Sequence, residues 1–259
     1  MLVNGPYRFE MRMKYVSKLN TTKMDAFRHW KEAFLDIISD FQTGEPEYEG
    51  CTNKTWRGNW MDCNTKPYNI KTPCLVYSFG IAYDFSFDDD LAILGCDVFS
   101  FDPSMTDTKE HVRASGVHFY PIGIGNISTD IFYPRLDSYT TKNISQNWKM
   151  RTLDGLLSWL AHENRTLDIL KIDIEGYEWD VIDDIMKHNL LGKIRQLNIE
   201  FHIFPDTPKI NIIHYLKVYQ DFKQMGFRLY TKKIVALTSK NNKQHFQADC
   251  HYVNLSYKF

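Results

Sequence analysis

No run of about 18 apolar residues, the length that carries a helix through a bilayer, occurs in this 259-residue chain. The opening MLVNGPYRFEMRMKYVSK is positively charged with no apolar stretch behind it, so as written the chain is expected neither to span a membrane nor to bring its own signal peptide. An excess of one charge is lacking too. With 31 basic and 32 acidic residues the formal charge is −1, which gives polyanions no global attraction and argues against nucleic acid as an obligate partner. A nucleophile elbow, a CxxC pair, a P-loop and an HExxH helix are all missing, which removes most hydrolases and kinases. No internal repeat is visible. What is present is a chain that is 43% apolar and 15% aromatic, enough to fold around a real core as one large α/β domain with a small appendage.

The appendage is read as residues 1–71. Phe27, Trp30, Phe34, Ile37 and Ile38 recur at helical spacing within Met24 to Phe41, and Gly44-Glu45-Pro46 ends the pattern. A Cys/Trp/Gly loop follows, whose Tyr48, Trp56, Trp60 and Tyr68 either stack on a sugar ring or pack against the neighbouring domain. Residues 72–259 then alternate. Strands are expected at CLVYSFG, CDVFSFD, VHFYPIGI, the run from Leu167, and IRQLNIEFHI. Helices are expected at about Asp88 to Leu94, Lys109 to Ala114, Leu153 to His162, Trp179 to Asn189 and Ile212 to Met225. Strands reached through crossovers imply a parallel sheet with right-handed connections, and GFRLYTKKIVALTS with HYVNLSYKF reads as a closing hairpin. Residues 125–150, polar and bearing Pro134, read as a surface excursion.

Two features point toward the secretory route. Six Asn-x-Ser/Thr sequons, at Asn20, Asn53, Asn126, Asn143, Asn164 and Asn254, exceed the roughly two that chance would supply. Cys51 and Cys63 bracket a segment too short to hold itself together by burial, where a disulfide is a natural staple. Cys96 and Cys250, in apolar strand-like contexts, read as buried thiols. The expected location is the secretory lumen, such as the Golgi, or outside the cell. The alternative is a cytoplasmic protein with unpaired thiols and unused sequons.

The run LDILKIDIEGYEWDVI is the most informative. It places Asp173 and Glu175 where a strand buried on both faces stops and a helix starts, and Gly176 permits a tight exit. Ligands of open α/β sheets sit at such carboxyl ends, although an N-cap Asp with solvated first-turn acids accounts for the same letters. The first strand ends at Gly80, and Asp102 follows 22 positions on at the end of the second, where an acid can accept both ribose hydroxyls. That turn has one glycine rather than GxGxxG. Ser86 reads as an N-cap with Asp88, Asp89 and Asp90 in the first turn, an arrangement that repels phosphate from that helix end. A phosphate-free nucleoside with a positive sulfonium, S-adenosylmethionine, suits this setting. Its adenosine is expected between Asp102 and Gly123, its methionine part against Ser78, Phe79 and Gly80, and its amino group or sulfonium near Asp173. Glu200 and His202 end the fifth strand with i, i+2 spacing on one face. With Asp173 and Glu175 they form a set of carboxylates and an imidazole on neighbouring strand ends. His202 is the first choice as general base, Glu200 either orients its tautomer or binds the acceptor, and Glu175 joins the catalytic set. The same set could ligate a divalent cation, but no metal is assigned.

LVYSFGIAYDFSFDDDLA, GCDVFSFDPSM, RTLDGLLSWL, LDILKIDIEGYEWDVI and QLNIEFHI together resemble the FkbM-type S-adenosylmethionine-dependent methyltransferases, in particular their animal, methyltransferase-like branch, over about residues 72–255. The resemblance implies a Rossmann-like seven-stranded sheet, mostly parallel with a C-terminal antiparallel hairpin and helices on both faces. It implies methyl transfer to an oxygen, a hydroxyl; that the acceptor is a small molecule or a glycan is suggested by the sequons and the compartment they point to, not by the resemblance. It also implies that Gly80 and its neighbours hold the methionine end, Asp102 the ribose, and Asp173 the cofactor side of the reaction centre. The chain departs from the wider ExGxGxG pattern in its single glycine and in Tyr77, where an acid often stands. Two rival readings follow from these letters: a secreted binding module that keeps the fold without catalysis, favoured by the glycine-poor turn, and a nucleotide-sugar or dinucleotide enzyme, disfavoured by the acids after Ser86.

Overall fold

The computed structural model describes residues 23–44, 48–136, 140, 146–240 and 243–257; Asn20 and Asn143 lie outside them. Apolar runs buried on both faces build the centre of the molecule. β3 (Cys74–Phe79) and β10 (Leu167–Ile172) are buried at every position. Alternation sorts their side chains between two layers: Leu75, Tyr77 and Phe79 enter one core, Cys74 and Val76 the other. β4 (Cys96–Phe101) and β6 (His118–Tyr120) extend the sheet on one side and β11 (Ile194–Ile203) on the other, all parallel. β12 (Phe227–Lys240) and β13 (Lys243–Asn254) add antiparallel strands beyond β11, giving the order β12-β13-β11-β10-β3-β4-β6-β5.

The eighth strand is β5, the dipeptide His111–Val112, paired antiparallel to β6 where the resemblance implies seven strands and the letters suggested a helix. Lys109 to Ala114 offers only Val112 and Ala114 as apolar residues, too few for a helical stripe, and Gly116 at φ 99° turns the chain back instead. The expected excursion at 125–150 holds a second sheet. In it β9 (Trp148–Arg151) pairs with β7 (Gly123–Ile124) and β8 (Thr129–Phe132).

Helices cover both faces. α1 (Lys23–Ser39), α3 (Leu153–Trp159), α4 (Glu178–Lys187) and α5 (Lys209–Gln224) contribute to the larger core. α2 (Ser86–Leu94) sends Phe87 and Leu91 into the smaller one. Trp179 of α4 is fully buried, its ring stacked on Tyr215 at 4.9 Å and its Nε1 donating to the His202 carbonyl at 2.7 Å. Removing such a side chain costs about 3–5 kcal/mol and would also release the end of β11. The hairpin of β1 (Lys54–Arg57) and β2 (Trp60–Cys63) lies across the sheet. Gln196 holds the Cys63 backbone at both N–H and C=O, while Asn198 and Tyr230 donate to the Met61 carbonyl. Trp60 and Tyr68 are buried there, whereas Trp56 is 61% exposed.

Cys51 and Cys63 are paired, with sulfurs 2.16 Å apart. Cys96 is not the thiol its apolar context suggested: neighbouring parallel strands in register bring it opposite Cys74, and their sulfurs lie 1.97 Å apart. Cys250 alone is a free, buried thiol. Cys96→Ser should lower unfolding stability by about 3 kcal/mol in urea, because the lost bond closes a 22-residue segment. Alkylation of unreduced, denatured protein should tag Cys250 alone; a tag on Cys74 or Cys96 would refute the pairing.

Candidate functional site

The parallel strands end together, and the turns that follow them form the walls of a cleft. At the end of β3, Gly80 adopts φ 79°. A Cβ there would come within 1.6 Å of the Asp173 carbonyl oxygen, so only glycine lets the two turns touch. Gly80 N–H donates to Phe101 O at 3.0 Å and Asp173 N–H to Phe79 O at 3.1 Å, which ties the ends of β3, β4 and β10 to one another. Lys171, buried beneath them, donates to the carbonyls of Phe79 and Gly80, and its Nζ lies 3.8 Å from Asp173 Oδ2.

Asp102 closes the next turn. One carboxylate oxygen accepts from the N–H groups of Ile81 and Ala82 at 2.8 Å each. The other accepts from Ser104 N–H at 2.8 Å and Ser104 Oγ–H at 2.6 Å. Both oxygens are therefore engaged by the protein's own loop, in which Ala82 and Tyr83 take left-handed φ of 46° and 68°.

Phe79, Gly80, Asp102, Gly123, Asp173 and Glu175 line the cleft, together with Trp148, Met150 and Tyr177. Among the described residues, its charged side chains are all acidic. Ser78, expected beside the ligand, is fully buried and lies outside that wall, opposite Ser100 in the β3–β4 register. The acids of α2 are also elsewhere. Ser86 is not the cap; its N–H donates to Asp84 Oδ1 at 3.0 Å. Buried Asp88 accepts from Ser100, Asp89 pairs with Arg113, and Asp90 accepts from Gly58 N–H. Burial pushes the Asp88 carboxyl up and Arg113 holds that of Asp89 down. None of the three lines the cleft, so repulsion of phosphate passes to Asp102, Asp173 and Glu175.

After β10 the chain wraps a buried carboxylate. Glu178 accepts from Ile174 N–H at 3.0 Å, from Gly176 N–H at 3.0 Å, and pairs with His202 Nδ1 at 2.9 Å. This grip accompanies left-handed φ at Glu175 (56°) and Gly176 (99°). Glu178, rather than Glu200, is thus the group that orients the histidine. The ring lies stacked on Phe204, its side chain fully buried, and Nε2 stands 3.8 Å from both Glu175 Oε2 and Glu200 Oε2. Burial by itself would lower its pKa, but the charge and hydrogen bond of Glu178, with Asp173 and Glu175 behind them, raise it to about 10. Burial and then the Asp173 charge push Glu200 up to about 8, although Gln247 donates to it at 2.6 Å.

A second cavity of about 180 Å3 adjoins the cleft and shares Glu175 and Tyr177 with it. Arg135, Asp180, Phe204 and Tyr215 form its walls, with the Arg135 guanidinium 4.0 Å over the Phe204 ring. His202 and Glu200 line neither space. Lys171, Trp148, Met150 and Arg135 were missed in the sequence. A lysine inside the mostly apolar run LDILKI was the signal for the first, while the others sit in the stretch read as an excursion.

The family model for a methyltransferase domain matches residues 10–248. The human probable methyltransferase-like protein 24 is 26% identical over 183 residues, which is 66% of this chain and 47% of that protein. The rat protein of the same name is 30% identical over 138 residues, 52% of this chain and 35% of its own length. The chain thus spans less than half the length of these curated relatives. Asp102→Ala should destabilise the protein with no ligand present, by roughly 1–3 kcal/mol for the stranded loop amides, as read by thermal or urea unfolding. A melt equal to wild type would show that the carboxylate does not organise the loop.

Proposed function

The chain belongs to this methyltransferase-domain family, and from that premise we propose that it moves the methyl group of S-adenosylmethionine to an oxygen, a hydroxyl, of a carbohydrate or similar polyhydroxylated acceptor. The narrower FkbM-type placement, carried by the LDILKIDIEGYEWDVI and QLNIEFHI segments, is part of the same reading. The observation that carries it is that, among the described residues, the charged side chains lining the cleft are all acidic, beside a glycine that no side chain could replace. A cationic sulfonium and ammonium fit such walls, and a phosphate does not. Gly80 and Phe79 would face the methionine end, Asp173 its cationic groups, and Gly123 with the Asp102-held loop the nucleoside. The cleft holds about 70 Å3, whereas ligand pockets span ~300–1,000 Å3. The cleft walls, which include Trp148 and Met150, would therefore have to open for the cofactor to enter.

When bound, the cofactor supplies a sulfonium methyl whose C–S bond breaks with its electron pair kept by sulfur, while an oxygen lone pair of the acceptor forms the C–O bond. The residues of the chain must hold that hydroxyl in line and take its proton. Glu175 is the carboxylate that borders both spaces, so it is assigned the proton. His202 and Glu200, lining neither, become positioning residues behind it. The aromatic faces of Tyr177, Phe204 and Tyr215, with Asp180 and Asn211, give the second cavity apolar planes and hydroxyl acceptors suited to a sugar. Two cysteine pairs at bonding distance and exposed sequon asparagines support passage through the secretory lumen.

S-adenosylmethionine at about 100 times its dissociation constant should stabilise the fold by roughly 2.7 kcal/mol. Glu175→Gln should keep that stabilisation and lose transfer of labelled methyl to a glycan panel by at least ~100-fold. Absence of any shift with wild-type protein would end the methyl-transfer reading, and full activity in Glu175→Gln would end the role of that residue. In a secretory host, Asn53, Asn126 and Asn164 should carry glycan. Asn254 should not, since it is buried with Nδ2 donating to the carbonyls of Leu191 and Ile194. Peptide mapping after deglycosylation reads this, and unmodified Asn53, Asn126 and Asn164 would remove the lumenal assignment.

A further inference from the structure

His202 is oriented like a metal ligand. Its Nδ1–H donates to Glu178 at 2.9 Å, the arrangement in which a carboxylate fixes the tautomer and turns the other ring nitrogen toward a cation. That other nitrogen, Nε2, is buried and has no hydrogen-bond partner among the described residues. It points between carboxylates, with Glu200 Oε2 and Glu175 Oε2 each 3.8 Å away. Asp173 stands beside them, a carboxylate oxygen lying within 4.8 Å of a ring nitrogen of His202 and of the Glu178 carboxylate. Two oxygen or nitrogen ligands about 2.1 Å from a shared ion stand roughly 3–4 Å apart, a range that includes the 3.8 Å from Nε2 to Glu175 and to Glu200. A buried nitrogen without a hydrogen-bond partner, beside carboxylates, is a place that can hold a cation.

We propose that His202 Nε2, Asp173 and Glu200 bind one divalent cation of the Mn2+ type, with Glu178 as the outer partner of the histidine. One imidazole among carboxylates favours Mn2+ over the all-oxygen shell of Mg2+. The open side of the ion faces Glu175, which borders both the cleft and the second cavity. A hydroxyl bound there would have its pKa lowered by the ion and would meet the Glu175 carboxylate. This use of the ion rests on the methyl-transfer reading, whereas its binding does not.

Chelator-treated protein titrated with MnCl2, followed by loss of the free-ion electron paramagnetic resonance signal, should bind one equivalent. Glu200→Gln, whose amide oxygen still accepts from Gln247, should weaken Mn2+ by about 10–100-fold with an unchanged melting temperature. His202→Gln should abolish binding if it folds, and Glu178→Gln should weaken it by a similar ~10–100-fold through the histidine. No bound Mn2+ in wild type, or equal affinity in well-folded Glu200→Gln, would overturn the site. Cofactor is absent from these titrations, so Mn2+ binding without stabilisation by S-adenosylmethionine would sink the methyl-transfer reading alone, and the reverse would sink the cation alone.

Discussion

The fully buried carboxylate of Glu178 holds the centre of the molecule. It takes the backbone N–H groups of Ile174 and Gly176 from one turn and the imidazole of His202 from the neighbouring strand, so the ends of β10 and β11 and the start of α4 share one anion. A carboxylate in that place without donors would cost several kcal/mol, which makes the turn and the histidine orientation interdependent. The left-handed residues Glu175 and Gly176 follow from the same grip, and they leave Glu175 at the border between cleft and cavity. Strain of order 1–2 kcal/mol at a non-glycine residue is held there by the contacts around it.

The turn after β3 applies the same device. Methyltransferase-like sheets were expected to use several glycines here, and this chain has one. Asp102 stands in for them: its oxygens collect the amides of Ile81, Ala82 and Ser104, which holds Ala82 and Tyr83 in conformations that glycine would adopt more cheaply. Lys171 supports the loop from below by binding the carbonyls of Phe79 and Gly80. An anion above and a cation below thus shape a loop that the glycine count alone would describe as ordinary.

Much of this was legible in the letters. LVYSF and LDILKI read as strands because burial on both faces leaves mostly apolar runs, RQLNIEFHI because its apolar residues alternate, and the amphipathic stretch from Trp179 read as a helix by its longer period. Glu175 and Glu200 lie 3.8 Å from His202 Nε2, as neighbouring parallel strands that end on one side of a sheet would bring them. Where the reading failed, a contact outside the local hydrophobic pattern decided, in some cases from far along the chain. Cys96 meets Cys74 through strand register, Ser86 defers to Asp84, the segment around Val112 pairs with β6, and Trp148 reaches the cleft through a second sheet.

Hydrophobic periodicity and strand-end chemistry, both local in the chain, were enough to determine an α/β sheet, the order of its central elements and the place where acids gather. Tertiary structure alone decided which acid holds His202, that Asp102 binds its own loop, and that Ser78 turns away from the cleft. The reason is reach. A hydrogen bond is made or lost within a few tenths of an ångström, and distances of that order between residues 20 or more positions apart are set by how sheet and helices pack, which one-dimensional patterns do not encode.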